Sequence, residues 1–261
     1  MVKLIDTHTH LYDTPFADDF DTVIGNAREC GVSAVILPSI DSTYHKQMLE
    51  CADKLPDFAH PAIGVHPTSV KENWREELEF VMNHIEERDF IAIGEIGIDG
   101  YWSKDYMREQ LYVFQKQIEL AAERDLPLII HMRDSTEEIL KALNNCKHLS
   151  LRGVFHAYSG SLETYERLRT YGDFMFGIGG VITYKNSRLP EVLSKMDICD
   201  IVLETDSPWL TPVPHRGKRN EPAYVKIIAE KVAEIKKISF DEVAATTTHN
   251  AIRTFKLNYN L

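Results

Sequence analysis

Near its start the chain reads Asp6-Thr-His8-Thr-His10. Residues two apart on an extended segment point to the same side, so Asp6, His8 and His10 can all face inward, and two imidazoles held that way can grip one metal ion. A lone pair of histidines is also an ordinary core or surface feature, so position must decide. Glu95 stands in Gly94-Glu95-Ile96-Gly97-Ile98-Asp99, inside an apolar run where a carboxylate needs a cation or a buried ion pair to offset its desolvation. His131 closes Ile129-Ile130-His131, and His156 closes Val154-Phe155-His156. Glu204 and Asp206 lie two apart in Leu203-Glu204-Thr205-Asp206-Ser207-Pro208, where two carboxylates on one face repel unless a cation or proton intervenes. Asp206 also suits the cap of a following turn, and the deeper Glu204 suits the support of a histidine. His8, His10, Glu95, His131, His156 and Asp206 form a nitrogen and oxygen donor set that fits two hard or borderline divalent cations.

These donors need a scaffold that delivers them to one place. Eight short apolar runs serve: 2–8, 34–40, 60–66, 91–98, 128–132, 154–158, 174–180 and 201–206, each followed by an amphipathic stretch or a loop. Markers at His8, Leu37, His66, Glu95, His131, His156, Gly179 and Asp206 are spaced 23 to 36 residues apart, about one strand, one helix and two loops each. Helical patterns fall between them at 20–31, 43–54, 74–88, 105–124, 135–146, 161–171 and 188–195, with two more at 222–237 and 239–255. In the longest, Leu111, Phe114, Gln115, Ile118, Ala121 and Ala122 share a face predicted to pack inward. The expectation is an α/β protein, a TIM (β/α)8 barrel in a single domain over residues 1–261. Five of the eleven histidines then stand at the carboxyl ends of strands, where barrel enzymes keep their sites. The others, including His45, His84 and His148, read as solvated or capping residues.

Composition narrows the function. A formal charge of −11 opposes a broad basic face for duplex nucleic acid. It leaves room for a small pocket in which two divalent cations supply the positive charge. Four scattered cysteines without C-x-x-C spacing fit reduced thiols, no signal sequence or membrane-length apolar stretch is visible, and a cytoplasmic location is expected, with no membrane association and no obligate protein partner indicated.

The motifs D-T-H-T-H-L, G-V-H-P, G-E-I-G-I-D, I-I-H-M-R, F-H-A-Y-S-G and L-E-T-D-S-P, with Arg216-Gly-Lys-Arg-Asn220-Glu-Pro222 after the last run, resemble the TatD-type metal-dependent deoxyribonucleases of the amidohydrolase-like superfamily. The match runs from Asp6 to the loop beyond Asn220. It departs at H-A-Y-S-G, where the family often has Cys and Phe, and at Ile98, where Leu is common. The resemblance implies that His8, His10, Glu95 and Asp206 hold one metal, with Glu95 bridging to a second held by His131 and His156. In the related phosphotriesterases the bridge is often a carboxylated lysine, whereas no lysine ends an inner strand here, which favours the nuclease branch. Two divalent ions (Mg, Mn, Zn or Ni) and a DNA substrate, attacked as single-stranded ends by a 3′-5′ exodeoxyribonuclease, are the implied cofactors and partner.

The mechanism expected is attack on phosphorus by an activated water, with Asp206, Glu95 and Glu204 as the catalytic carboxylates and Asp206 accepting the proton. His66, Arg133, Arg216 and Asn220 are candidates to hold the substrate, arginine's planar fork suiting phosphate. Arg133 could instead pair with a barrel carboxylate, and Lys218 and Arg219 read as a solvated loop. Tyr101 and Trp102 either stack on a base or pack on a neighbouring loop. Two alternatives stay open: a metal-dependent esterase or amidase such as an aminoacyl-tRNA deacylase, and a barrel that binds without catalysis, which would predict missing ligands.

Overall fold

Eight parallel strands, each followed by a crossover, form the molecule, seen here in a computed structural model that describes residues 3–258. The strands are β1 (Leu4–Asp6), β2 (Val32–Leu37), β3 (Ala59–Pro61), β4 (Ile93–Asp99), β5 (Leu128–Arg133), β6 (Arg152–Phe155), β7 (Asp173–Ile178) and β8 (Ile201–Leu203). They pair in chain order as β1-β2-β3 and β4-β5-β6-β7-β8. A bridge between Ile63 and Ile93 joins β3 to β4, and Thr7 N–H to Leu203 O with a bridge between Thr9 and Ser207 joins β8 to β1. The result is a closed TIM barrel. The first run was expected to begin at Val2, which lies outside the described residues.

The helices are α1 (Phe20–Glu29), α2 (Ser42–Lys54), α3 (Trp74–His84), α4 (Met107–Glu123), α5 (Thr136–Asn145), α6 (Leu162–Leu168), α7 (Leu189–Leu193), α8 (Val225–Lys236) and α9 (Phe240–Phe255). Ile5, Ile36, Ala62, Ala92, Ile129, Val154, Met175 and Val202 fill the barrel interior, and Ala251 and Phe255 of α9 pack against them. Asn250 donates to Ile198 O and Ile201 O, and Thr248 donates to Lys3 O, so α9 closes the amino-terminal end. Each large apolar side chain withdrawn there contributes about 1.5–3 kcal/mol. The opposite end is left for polar chemistry.

Several strands are shorter than expected at that end. The second, third, sixth and eighth runs were expected to continue to Ile40, His66, Tyr158 and Asp206, yet the ladders stop at Leu37, Pro61, Phe155 and Leu203. The chain bends away as it delivers its polar residues: Asp134, Ala157 and Asp206 all have left-handed φ, at 50°, 45° and 55°. Such conformations cost non-glycine residues on the order of 1 kcal/mol and are held by surrounding contacts. His66, His156 and Asp206 are therefore loop residues at the barrel mouth.

Candidate metal centre

Parity along the strands delivers the donors. Ile129 and Val154 face the interior, so His131 and His156, two residues on, face the mouth on the same side. On β4 a register shift between Ile93 and Ile96 changes the phase, so that Glu95 as well as Ala92 points inward. Gly97, at φ 143°, lets β4 approach β5 closely, since a Cβ there would lie 2.0 Å from His131 O.

Glu95 is the hub. Its Oε1 lies 2.9 Å from His131 Nδ1, 2.9 Å from His156 Nε2 and 3.2 Å from His66 Nε2, while its Oε2 lies 3.1 Å from His8 Nε2 and 3.9 Å from His10 Nε2. Asp206 Oδ1 faces the same two histidines at 3.6 and 3.7 Å. His8 and His10 present their Nε2 atoms to each other at 3.3 Å, and the His8 ring stacks on His156 at 3.8 Å. Each oxygen of one buried carboxylate thus faces a separate group of imidazoles. All six residues expected to bind metal are brought together, and combinations such as His8, His10 and Glu95 are spaced for a common ion.

The outer nitrogens show which imidazoles suit a cation. Tyr12 donates its hydroxyl proton to Pro38 O at 2.5 Å, so His10 Nδ1–H, 2.7 Å away, must donate to Tyr12, leaving a lone pair on Nε2. His131 Nε2–H donates to Asp99 Oδ2 at 2.8 Å, which leaves Nδ1 to face Glu95. Behind His156, Glu204 Oε1 lies 3.4 Å from Nδ1 and accepts from Ala157 N–H at 2.5 Å. His66 has the reverse polarity: its Nδ1 accepts from Thr68 N–H at 3.1 Å and lies 2.6 Å from Thr68 Oγ1. Its proton therefore sits on Nε2, a donor suited to an oxyanion, although the spacing of His66, Glu95 and His131 would admit an ion.

Electrostatics agree with a cation site. Burial opposes a charge on Glu95, but His156, His66 and His8 outweigh it and hold its pKa well below the carboxylate range. Burial likewise opposes charge on His156 and His131; Glu95 with Glu204 raises the first, and hydrogen bonds to Asp99 and Glu95 raise the second. His10 is driven down by burial and by His8. Burial pushes Asp206 up to about 6, against the pull of His156 and His8. The buried His8 Nδ1 and Glu204 Oε2 have no hydrogen-bond partner among the described residues. In such a cluster protons stand where a metal would, and the donor set fits divalent ions. Ligands must be deprotonated to bind, so affinity for Zn or Mn should fall as pH drops through about 6 and Asp206 takes up its proton. Calorimetric titration at pH 7.5 and 5.5 checks this; equal affinities would contradict it.

Several residues stand elsewhere than expected. Glu204 is fully buried behind His156, so it positions that ring without facing the mouth. Gly177 makes room for it, since a Cβ there would lie 2.0 Å from Glu204 Oε2. Asn220 is fully buried and its amide is consumed: Nδ2 donates to Thr205 O and Trp209 O, and Oδ1 accepts from Glu221 N–H. It ties the last loop together. Asp6 accepts from Thr205 N–H and Thr205 Oγ1, tying β1 to the end of β8 outside the cluster. Lys218 is exposed as expected, while Arg219 is half-buried and pairs with Asp19, and His45, expected to be solvated or capping, is buried against Glu87. Arg133 has no carboxylate partner among the described residues and lies 3.8 Å over the Tyr101 ring, while Arg216 lies 3.9 Å over Tyr184.

Four residues escaped sequence reasoning. Tyr12 and Asp99 hold the rings of His10 and His131, as above. Gln110 and Gln117, buried seven apart on α4, each clamp a backbone: Gln110 holds Asp99 N–H and O, and Gln117 holds Val65 N–H and O beside His66. Glutamine within an otherwise apolar helix face was the available signal. Replacing Tyr12 with Phe frees the His10 ring and should weaken metal binding about 10- to 100-fold with little change in melting temperature; unchanged affinity by titration would refute the tautomer assignment.

Fold and donor set together define the class: a metal-dependent hydrolase built on a TIM barrel. The chain belongs to the TatD related DNase family, whose model matches residues 5–256. It is similar to YabD of Bacillus subtilis, described as an uncharacterized metal-dependent hydrolase, at 37% identity over 256 residues, covering 98% of this chain and 100% of that one. It is 33% identical to the 3′-5′ ssDNA/RNA exonuclease TatD of Erwinia tasmaniensis over 261 residues, covering 97% of this chain and 100% of the other. The crystal structure of the TatD homolog YjjV from Escherichia coli K12 superposes with a TM-score of 0.91 at 27% identity, covering 98% of this chain and 99% of that one.

Proposed function

We propose that this hydrolase cleaves phosphodiester bonds at the 3′ ends of single-stranded DNA, with two divalent ions on either side of Glu95. The observation that carries the reading is the split of Glu95: one oxygen faces His131 and His156, the other His8 and His10. His8, His10, Glu95 and Asp206 would hold one ion, and Glu95, His131 and His156 the other. When bound, such ions acidify water and offset charge on phosphoryl oxygens. In this reading residues 1–261 work as one catalytic unit in the cytoplasm, since β1 and the end of β8 supply the same site.

The chain's own groups do the rest. Asp206, at the mouth, takes the proton of the attacking water. His66 Nε2–H donates to a non-bridging oxygen. Arg133 and Arg216, without carboxylate partners among the described residues and stacked on tyrosines, grip flanking phosphates. Those two cations favour a phosphodiester over an aminoacyl ester, which carries no charge at the reacting centre. The chain's −11 charge suits a strand end entering a small pocket better than a duplex laid across the surface. The test is digestion of end-labelled single strands, duplex DNA and a small neutral ester with Mn or Mg. Arg216→Ala is expected to lower kcat/KM on DNA about tenfold or more while sparing the ester. Equal losses on both substrates, or native turnover of the ester alone, would overturn the proposal.

A further inference from the structure

Beside the metal centre is an aromatic rim that the chemistry above does not use. Tyr101 and Trp102 follow β4 directly, and their backbone N–H groups both donate to Asp99 Oδ1, at 2.9 and 3.0 Å. The other oxygen of that carboxylate accepts from His131 Nε2–H. One buried aspartate therefore fixes the rim to a metal-facing histidine, two hydrogen bonds away. The two rings meet edge to face at 5.2 Å and 85°, with the Arg133 guanidinium 3.8 Å over Tyr101 and 5.5 Å from the Trp102 ring centre. Despite these contacts Trp102 remains 69% exposed and Tyr101 54% exposed. The neighbouring-loop packing that would bury them is not what the structure shows. A large, mostly exposed indole held by backbone hydrogen bonds at a site's edge stands beside a guanidinium that has no carboxylate partner among the described residues.

We propose that Trp102 is a stacking platform for a nucleobase of the bound strand, next to the nucleotide whose phosphate Arg133 holds. Base and phosphate lie side by side along a single strand, as the Trp102 indole and the Arg133 guanidinium do on this rim. Stacking is indifferent to base identity but requires an unpaired base, so the platform selects single strands without selecting sequence. Tyr101 buttresses the indole, and Asp99 keeps the platform in register with the metal centre. The inference rests on the phosphodiesterase reading above and names a subsite within it.

The test compares the native chain, Trp102→Ala and Trp102→Phe with added Mn on a short single-stranded oligonucleotide. It repeats this on the same oligonucleotide carrying abasic residues through its three terminal positions. Trp102→Ala should raise KM for the normal strand about 5- to 100-fold with kcat nearly unchanged. Phe should restore most of the affinity. The native chain should show the same penalty on the abasic strand, where Trp102→Ala adds nothing further. An unchanged KM in Trp102→Ala, or an equal loss on both strands, overturns the platform while DNA hydrolysis by the native chain leaves the parent reading standing. Absence of DNA hydrolysis by the native chain overturns that reading, and the platform with it.

Discussion

Replacing Glu95 with alanine is expected to lower hydrolysis at least about a thousandfold, the largest loss any single substitution in this chain should cause. One carboxylate spans both halves of the donor set: His131 and His156 meet its Oε1, His8 and His10 its Oε2. Without the carboxylate, five imidazoles face one another across a cavity, and any cation there loses the charge that most attracts it. Glu95→Gln keeps the volume and removes only the charge, so it separates chemistry from packing. Both variants should be inactive, and the Gln form should melt near the native temperature. Activity within tenfold of native in Glu95→Gln would show that Glu95 is not the bridge.

Asp206→Asn should reduce kcat by about 10²- to 10⁴-fold, the usual range for loss of a positioned proton acceptor. Asparagine is the informative replacement because position 206 has φ 55°, a left-handed conformation that Asn adopts at less cost than Ala. The backbone and the hydrogen bond from Asp206 N–H to His8 O then persist, and what is lost is the carboxylate charge, both as proton acceptor and as part of the donor set. The native rate should rise with pH on its acidic side as Asp206 ionises; in the variant that limb should vanish. A variant retaining both the limb and most of its rate would assign the proton to another group.

Much of this site was legible before the fold. His8, His10, Glu95, His131, His156 and Asp206 lie at the ends of apolar runs, and strand parity with strand order brings such positions together in a closed parallel barrel. What was not legible acts through long-range backbone contact. Tyr12 matters because Pro38 O happens to lie beside it, and Gln117 because α4 crosses behind Val65. Asn220 looked like a substrate group because it stands with Arg216 in the Arg216-Gly-Lys-Arg-Asn220-Glu-Pro222 stretch of the last loop; only the fold shows its amide consumed by Thr205, Trp209 and Glu221. Periodicity also overextended the strands, since it cannot register the bends at Ala157 and Asp206 that turn donors into the mouth. The register shift on β4 is invisible for the same reason, although it is what aims Glu95.

The central claim is that Glu95 joins two cations, and metal stoichiometry tests it most directly. The metal-free native chain and Glu95→Gln, each titrated with Mn or Zn and assayed in parallel for metal content and single-strand digestion, should differ sharply. Two ions per native chain are expected, with activity following the second, and no more than one tightly held ion in the variant. Two ions of native affinity in Glu95→Gln, or full native activity with one ion or in excess chelator, would contradict it.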